Sequence, residues 1–263
     1  MKFLQTIFLL LVLSPSFAQQ KDSISYDNSF SFYLNLNYQD SYKETHFGKQ
    51  QLLLKPFISF ETGFEYHHSL NDYLEVGFGL KIGAIPYNEK ITIVNSDSLK
   101  PYYSDGTYNG YDRDIYDIYL NPTFSFKSNL IPIKSYTLYS EIGIGLNILP
   151  PYDNDRRGIL LGDSTGTREI EIFESNIKSD GRWINPSYFL KIGMSKKKNR
   201  HIFNYGIVFN YMPKNIRTGS YNFLNIENPS YGDIELRINY IGLEFSYGIG
   251  LKKQKINYSR TLF

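Results

Sequence analysis

Eight ionisable side chains stand at polar positions of segments in which polar or glycine residues alternate with apolar ones: Glu61, Glu65, Glu75, Lys81, Lys127, Glu141, Lys191 and Glu244. Lys55 and Asp117 occupy equivalent places. Carboxylates and ammonium groups gathered on one face can pair with each other, line a path for ions, or, where an acid meets a base, move protons. An unpaired buried charge costs several kcal/mol or shifts its pKa, so charges of both signs facing one interior are expected to pair. The four histidines, His46, His67, His68 and His201, offer less. His67 and His68 fall in an expected short turn where a metal would lack a carboxylate or cysteine, so no metal site is expected. Asp153-Asn154-Asp155 opens like a calcium loop but lacks its glycine and its distant glutamate. Gly162-Asp163-Ser164-Thr165-Gly166 reads as a turn of small polar residues. No catalytic residue, no metal ligand and no cofactor is expected. His201, beside the basic run 196–200, reads as an interface anchor.

The elements that position these charges are visible as a period of two. Phe30, Phe32, Leu34, Leu36 and Tyr38 share one register, with Ser31, Tyr33, Asn35 and Asn37 in the other, the mark of a strand with unlike faces. Seven further stripes follow, over 58–66, 74–82, 116–126, 136–148, 184–194, 203–211 and 241–251. Each is close to the length a tilted strand needs to cross a bilayer. Short and long connections take turns between them, as in barrels with short periplasmic turns and long extracellular loops.

Volume decides which face meets lipid. An eight-stranded barrel has an interior just wide enough for side chains to fill, and the stripes carry far too many large apolar groups for it. The opposite register is rich in glycine (77, 79, 83, 143, 145, 193, 206, 242 and 248), which suits a crowded interior. A soluble lipocalin-like barrel or sandwich is the competing architecture. Lys55-Pro56-Phe57, Asn121-Pro122-Thr123 and Asn185-Pro186-Ser187 place proline early in three strands. Proline removes a ladder donor, so an upper rim of kinks is expected there.

Composition agrees with an all-β chain. Twenty-four Tyr and 19 Phe in 263 residues, against two alanines (Ala18 and Ala84), favour a pleated sheet over helices. The 28 Lys and Arg balance 26 Asp and Glu, which gives no electrostatic reason to expect nucleic acid as a partner. With no cysteine there is no disulfide, no thiol nucleophile and no lipid-carrying cysteine. Met1-Lys2, the apolar run from Phe3 to Leu13 and the small residues Ser16 and Ala18 form a secretory signal peptide, 1–18, with cleavage after Ala18. The barrel domain is then 19–263.

Two loops stand out. Residues 85–115 carry Tyr87, Tyr102, Tyr103, Tyr108 and Tyr111, an adaptable contact surface. Residues 168–177 alternate through Arg168, Glu169, Ile170, Glu171, Ile172 and Phe173, like a strand raised above the membrane. Ten wall strands is the alternative count if this segment joins the wall.

Glu75-Val76-Gly77-Phe78-Gly79-Leu80 recurs as Glu141-Ile142-Gly143-Ile144-Gly145-Leu146, and each repeat runs on to a Pro-Tyr pair. With these repeats, the eight stripes and the signal peptide, the chain resembles the small bacterial outer-membrane β-barrel family of the OmpA or OmpX transmembrane type, especially PorT-like outer-membrane β-barrel domains. The resemblance covers 19–263. It implies location in the bacterial outer membrane, with outer-membrane lipid and the barrel-assembly machinery as partners. Members commonly end their last strand in an aromatic assembly signal. Here Phe263 is terminal, but the stripe stops near Leu251 and a basic tail, 252–260, intervenes.

The expectation is therefore an all-β, eight-stranded antiparallel transmembrane β-barrel. Its lumen is closed by the eight charges named first, and its loops serve a non-enzymatic structural or interaction role toward an extracellular or envelope protein. A narrow pore for small solutes is the alternative, and an outer-membrane hydrolase a further one.

Overall fold

The computed structural model describes residues 27–39, 42–48, 52–55, 57–94, 96–150, 155–162, 169–179 and 181–251. The signal peptide, the basic tail, Pro56, Asp153, Asn154 and the loop 163–168 lie outside the described residues, as do the side chains of Lys55, Tyr87, Tyr111 and Asp117. The strands are β1 (Asn28–Gln39), β2 (Tyr42–Phe47), β3 (Leu52–Lys55), β4 (Phe57–Ser69), β5 (Leu74–Ile93), β6 (Tyr108–Ile133), β7 (Tyr136–Ile148), β8 (Asp155–Gly162), β9 (Glu169–Ser179), β10 (Ile184–Lys198), β11 (His201–Tyr211), β12 (Arg217–Phe223), β13 (Tyr231–Leu236) and β14 (Tyr240–Leu251). A 3₁₀ turn covers Asp97–Leu99.

Eight of them close a wall. Antiparallel ladders run β1–β4–β5–β6–β7–β10–β11–β14, and β14 returns to β1 with Asn28 opposite Leu251 and Gln39 opposite Tyr240. Closure removes the sheet edges, which is what lets strands cross a lipid core where no water can satisfy a free N–H or C=O. The alternation in sequence is the alternation in space: Phe32, Leu36, Phe60, Phe78, Ile192 and Leu243 are exposed on the outside, while Ser31, Asn35, Glu61, Gly77 and Glu244 are buried within. A band of large apolar side chains around a polar interior is stable only with lipid outside.

Glycines of the inner register make room for the large groups there. A Cβ on Gly63 would lie 2.2 Å from the Leu80 carbonyl oxygen, and one on Gly143 would lie 2.3 Å from Phe189 Cζ. Pro56 lies outside the described residues, and neither Pro122 nor Pro186 shifts the register of its ladders. Pro122 faces Leu80 and Pro186 faces Leu146 in unbroken register, and the irregularities fall instead at Glu89/Ile91 and Asn129/Ile131. Pro186 lies above the stretch where β11 pairs with β10, which begins at Tyr188, so its missing donor costs no bond on that side.

The long loops form a second structure. β2, β13, β12, β9 and β8, in that order, make a five-stranded antiparallel sheet outside the wall. β9 pairs with β8 and β12 and takes no part in the barrel, so the wall has eight strands and not ten. β5 and β6 overshoot the expected stripes and stay paired from Leu74/Ser128 to Ile93/Tyr108, and β3 adds to the outer half of β5. Between this extended hairpin and the sheet lies an apolar core that includes Leu52, Ile91, Leu99, Ile172, Phe173 and Phe223. Tyr102 and Tyr108, expected to present an adaptable surface, pack against that core instead. Tyr103 remains exposed. The loops fold because they carry enough apolar area to bury; we refer to this folded unit as the cap.

The charged lumen as the candidate functional site

All eight predicted lumen charges are buried inside the barrel, each at most 7% exposed. Their arrangement is less symmetrical than simple pairing. Lys191 is the hub: its Nζ lies 2.7 Å from Glu65 Oε1, 3.0 Å from Glu244 Oε2 and 3.6 Å from Glu141 Oε2. β10 delivers the lysine, and β4, β14 and β7 deliver one carboxylate each. The three acids share one ammonium, and the charge-assisted contacts bind four strands of the wall together.

The other lysines find rings. Lys81 Nζ sits 4.5 Å from the Phe189 ring centre, and Lys127 Nζ sits 4.4 Å from that of Tyr139 while approaching Asn204 Oδ1 at 3.5 Å. Aromatic faces accept a desolvated cation. Glu61 is held by neutral donors: Tyr119 and Tyr240 each donate a hydroxyl at 2.5 Å, and Asn35 donates its amide at 3.1 Å. Glu75 accepts from Asn129 at 3.1 Å and lies 3.8 Å from Lys197, a member of the basic run 196–200.

The two adjacent histidines part company. β4 continues through Ser69 rather than turning at 67, so His67 points into the lumen, 3.9 Å from Glu141, and His68 points out to Asn28. The carboxylate that the turn assignment denied to His67 is supplied by β7 across the lumen. The signal was the parity of Glu61, Glu65 and His67 on one strand. His201 stands outside, 2.8 Å from the Tyr247 hydroxyl, as an interface residue would.

Above the charges lies a second, apolar layer. Ile85, Tyr119, Leu149, Val208, Met212, Ile216, Leu236, Ile238 and Tyr240 form one buried apolar cluster at the outer ends of the wall strands. A polar recess at the opposite end is lined by Ser31, His67, Glu75, Lys127, Lys197 and Asn204, among others.

On the cap, Glu44, His46 and Tyr221 form a chain. His46 Nε2 lies 3.2 Å from Glu44, and its Nδ1 meets the Tyr221 hydroxyl in a short hydrogen bond. Burial, with Glu44 and Asp233 nearby, pushes the phenol up to about 12. The folded state therefore holds this proton more tightly than the unfolded chain does. Its contribution to stability is complete below pH 10 and is lost as pH rises toward 12. The protection of the β12 amides, taken relative to the intrinsic base-catalysed exchange rate, should fall across that window, and Tyr221→Phe should remove the fall.

No protein family matches the chain, and no curated protein matches it significantly. Among solved structures it is similar to the outer membrane protein OprG from Pseudomonas aeruginosa, at 13% identity and a TM-score of 0.43, over 86% of this chain and 98% of that one. It is also similar to Neisserial surface protein A, at 10% identity and a TM-score of 0.39, over 86% and 97%. The outer membrane protease OmpT from Escherichia coli gives 11% and 0.39, over 89% and 100%. The fold is read from the chain's own pairings, apolar exterior and polar interior. By those features the chain is a closed eight-stranded antiparallel β-barrel with the lipid-facing exterior of a membrane-spanning barrel.

Proposed function

We propose that the protein is a non-enzymatic outer-membrane barrel that does not conduct and whose working surface is the cap, which engages an extracellular or envelope protein. The observation that carries this reading is the double seal: a three-carboxylate hub on Lys191 and, outside it, the apolar layer from Ile85 to Tyr240. A pore needs a continuous wet path in which ions bind weakly enough to leave. Lys191 and its acids are instead buried, with the ammonium held among all three carboxylates. Support for the cap as the working surface comes from its own hydrophobic core, which a loop serving only to join strands does not need. Outer-membrane lipid surrounds the wall in this reading, and the barrel-assembly machinery inserts it.

The test is single-channel recording of the refolded chain from residue 19 in planar bilayers, beside Glu244→Gln. Folded protein of both kinds, checked by heat-modifiable migration, is expected to be electrically silent. Steady discrete conductance that changes with the substitution would overturn the sealed lumen and establish the narrow pore.

A further inference from the structure

The hub on Lys191 is electrically incomplete. Three carboxylates surround the Lys191 ammonium, more acid than one cation can pair. Lys81 shares the Tyr33 and Phe189 rings with Lys191, and Lys127 rests on Tyr139 and approaches Asn204. Glu65, His67 and Glu141 each offer one ligand atom, all three within 4.8 Å of one another, and all three residues are buried. A second observation points to what belongs between them. His67 Nε2 and Glu141 Oε1 face each other at 3.9 Å, beyond hydrogen-bond reach, and neither has a hydrogen-bond partner among the described residues. Leaving two buried polar atoms unsatisfied is costly. Tetrahedral metal–nitrogen and metal–oxygen bonds of about 2.0–2.2 Å hold two ligand atoms about 3.3–3.6 Å apart, so the observed gap has room for an ion and closes by only a few tenths of an ångström around it.

We propose that Glu65, His67 and Glu141 form a binding site for one divalent transition-metal ion of the zinc type inside the lumen. One imidazole and two carboxylates suit such an ion, whereas calcium and magnesium prefer oxygen alone. Lys191, displaced from Glu65 and Glu141, keeps Glu244 at 3.0 Å. Gly77 preserves the space, since a Cβ there would come within 3.0 Å of His67 Nε2. Entry is from the recess at the periplasmic end, where His67 forms part of the lining. The site is independent of whatever the cap binds.

The experiment uses the refolded chain, stripped with chelator and titrated with Co²⁺ as a spectroscopic stand-in and with Zn²⁺ by calorimetry. One equivalent is expected to bind, with visible ligand-field absorption, and His67→Gln should weaken it by about tenfold or more. His68→Gln and His201→Gln, which alter exposed rings outside the wall, should leave it unchanged. Absence of binding, or binding unaffected by His67→Gln, or binding lost with either exterior variant, overturns the site. If His67→Gln does not refold, the Co²⁺-shifted imidazole resonance of the unaltered protein decides. Assignment to His67 upholds the proposal and assignment to any other histidine refutes it.

Discussion

Replacing Lys191 by methionine is expected to lower the stability of the folded barrel by about 3–5 kcal/mol. Methionine matches the length of the stem and keeps the packing against Tyr33 and Phe189, whose ring centres lie 5.3 and 5.5 Å from the ammonium. What disappears is the single positive charge shared by Glu65, Glu141 and Glu244. Removing one partner of a buried ion cluster leaves the others both dehydrated and mutually repelling, which costs more than the cluster contributed in net terms. Urea unfolding in lipid vesicles, followed by loss of heat-modifiable migration, reads the change. Adding Glu65→Gln to Lys191→Met should recover part of the loss, because one of the stranded charges is then gone. An unchanged midpoint in the single variant would mean that the carboxylates are not ionised at that position, and would remove the hub from the account of the fold.

Gly63→Val is expected to abolish folding of the wall, while Gly110→Val leaves it intact. At Gly63 the added Cβ would meet the Leu80 carbonyl oxygen at 2.2 Å and the Tyr33 hydroxyl at 2.6 Å, and the first of these is backbone that cannot swing aside. β4 and β5 would have to separate at a point where Gly63 faces Lys81 in the ladder. Overpacking typically costs about 1–3 kcal/mol where side chains can yield, and here the backbone of two strands must move. Gly110, in the outer part of β6, has nothing within 4 Å of the same position. Yield of the compact form on refolding distinguishes the two, and equal yields would show that the interior is looser than its contacts imply.

The wall was legible because its strands obey one rule over their whole length. Each has lipid on one side and packed polar groups on the other, so a period of two is written into every residue from Phe30 to Tyr38 and from Ile241 to Leu251. The same parity placed the eight charges inside. The cap was not legible, apart from the alternation at 168–177 that β9 confirms. β2 reads Tyr-Lys-Glu-Thr-His-Phe, too short and too polar to declare a buried face, and its partner β13 lies nearly the whole chain away. The apolar layer at the outer mouth is equally scattered, drawing Ile85 from β5, Leu149 from the connection after β7, and Met212 and Ile238 from opposite ends of the one after β11. Nor does a pattern of alternating charges reveal that one lysine serves three acids while two others face rings, since that depends on how far each side chain reaches across the lumen.

The sheet of the cap also fixes an order of events during folding. Its neighbouring strands are supplied by three different connections between wall strands: β2 from the one after β1, β8 and β9 from the one after β7, and β12 and β13 from the one after β11. The hydrogen bond from the Asp233 amide to Thr45 joins residues 188 positions apart. Such a contact carries the full entropy of closing a very long loop unless something shorter has already drawn its ends together. The ring of wall ladders does that, since β1 and β14 are neighbours once the barrel has closed. The cap is thus the last part of the molecule to form, and its presence on the outer surface reports that every strand beneath it has found its partner.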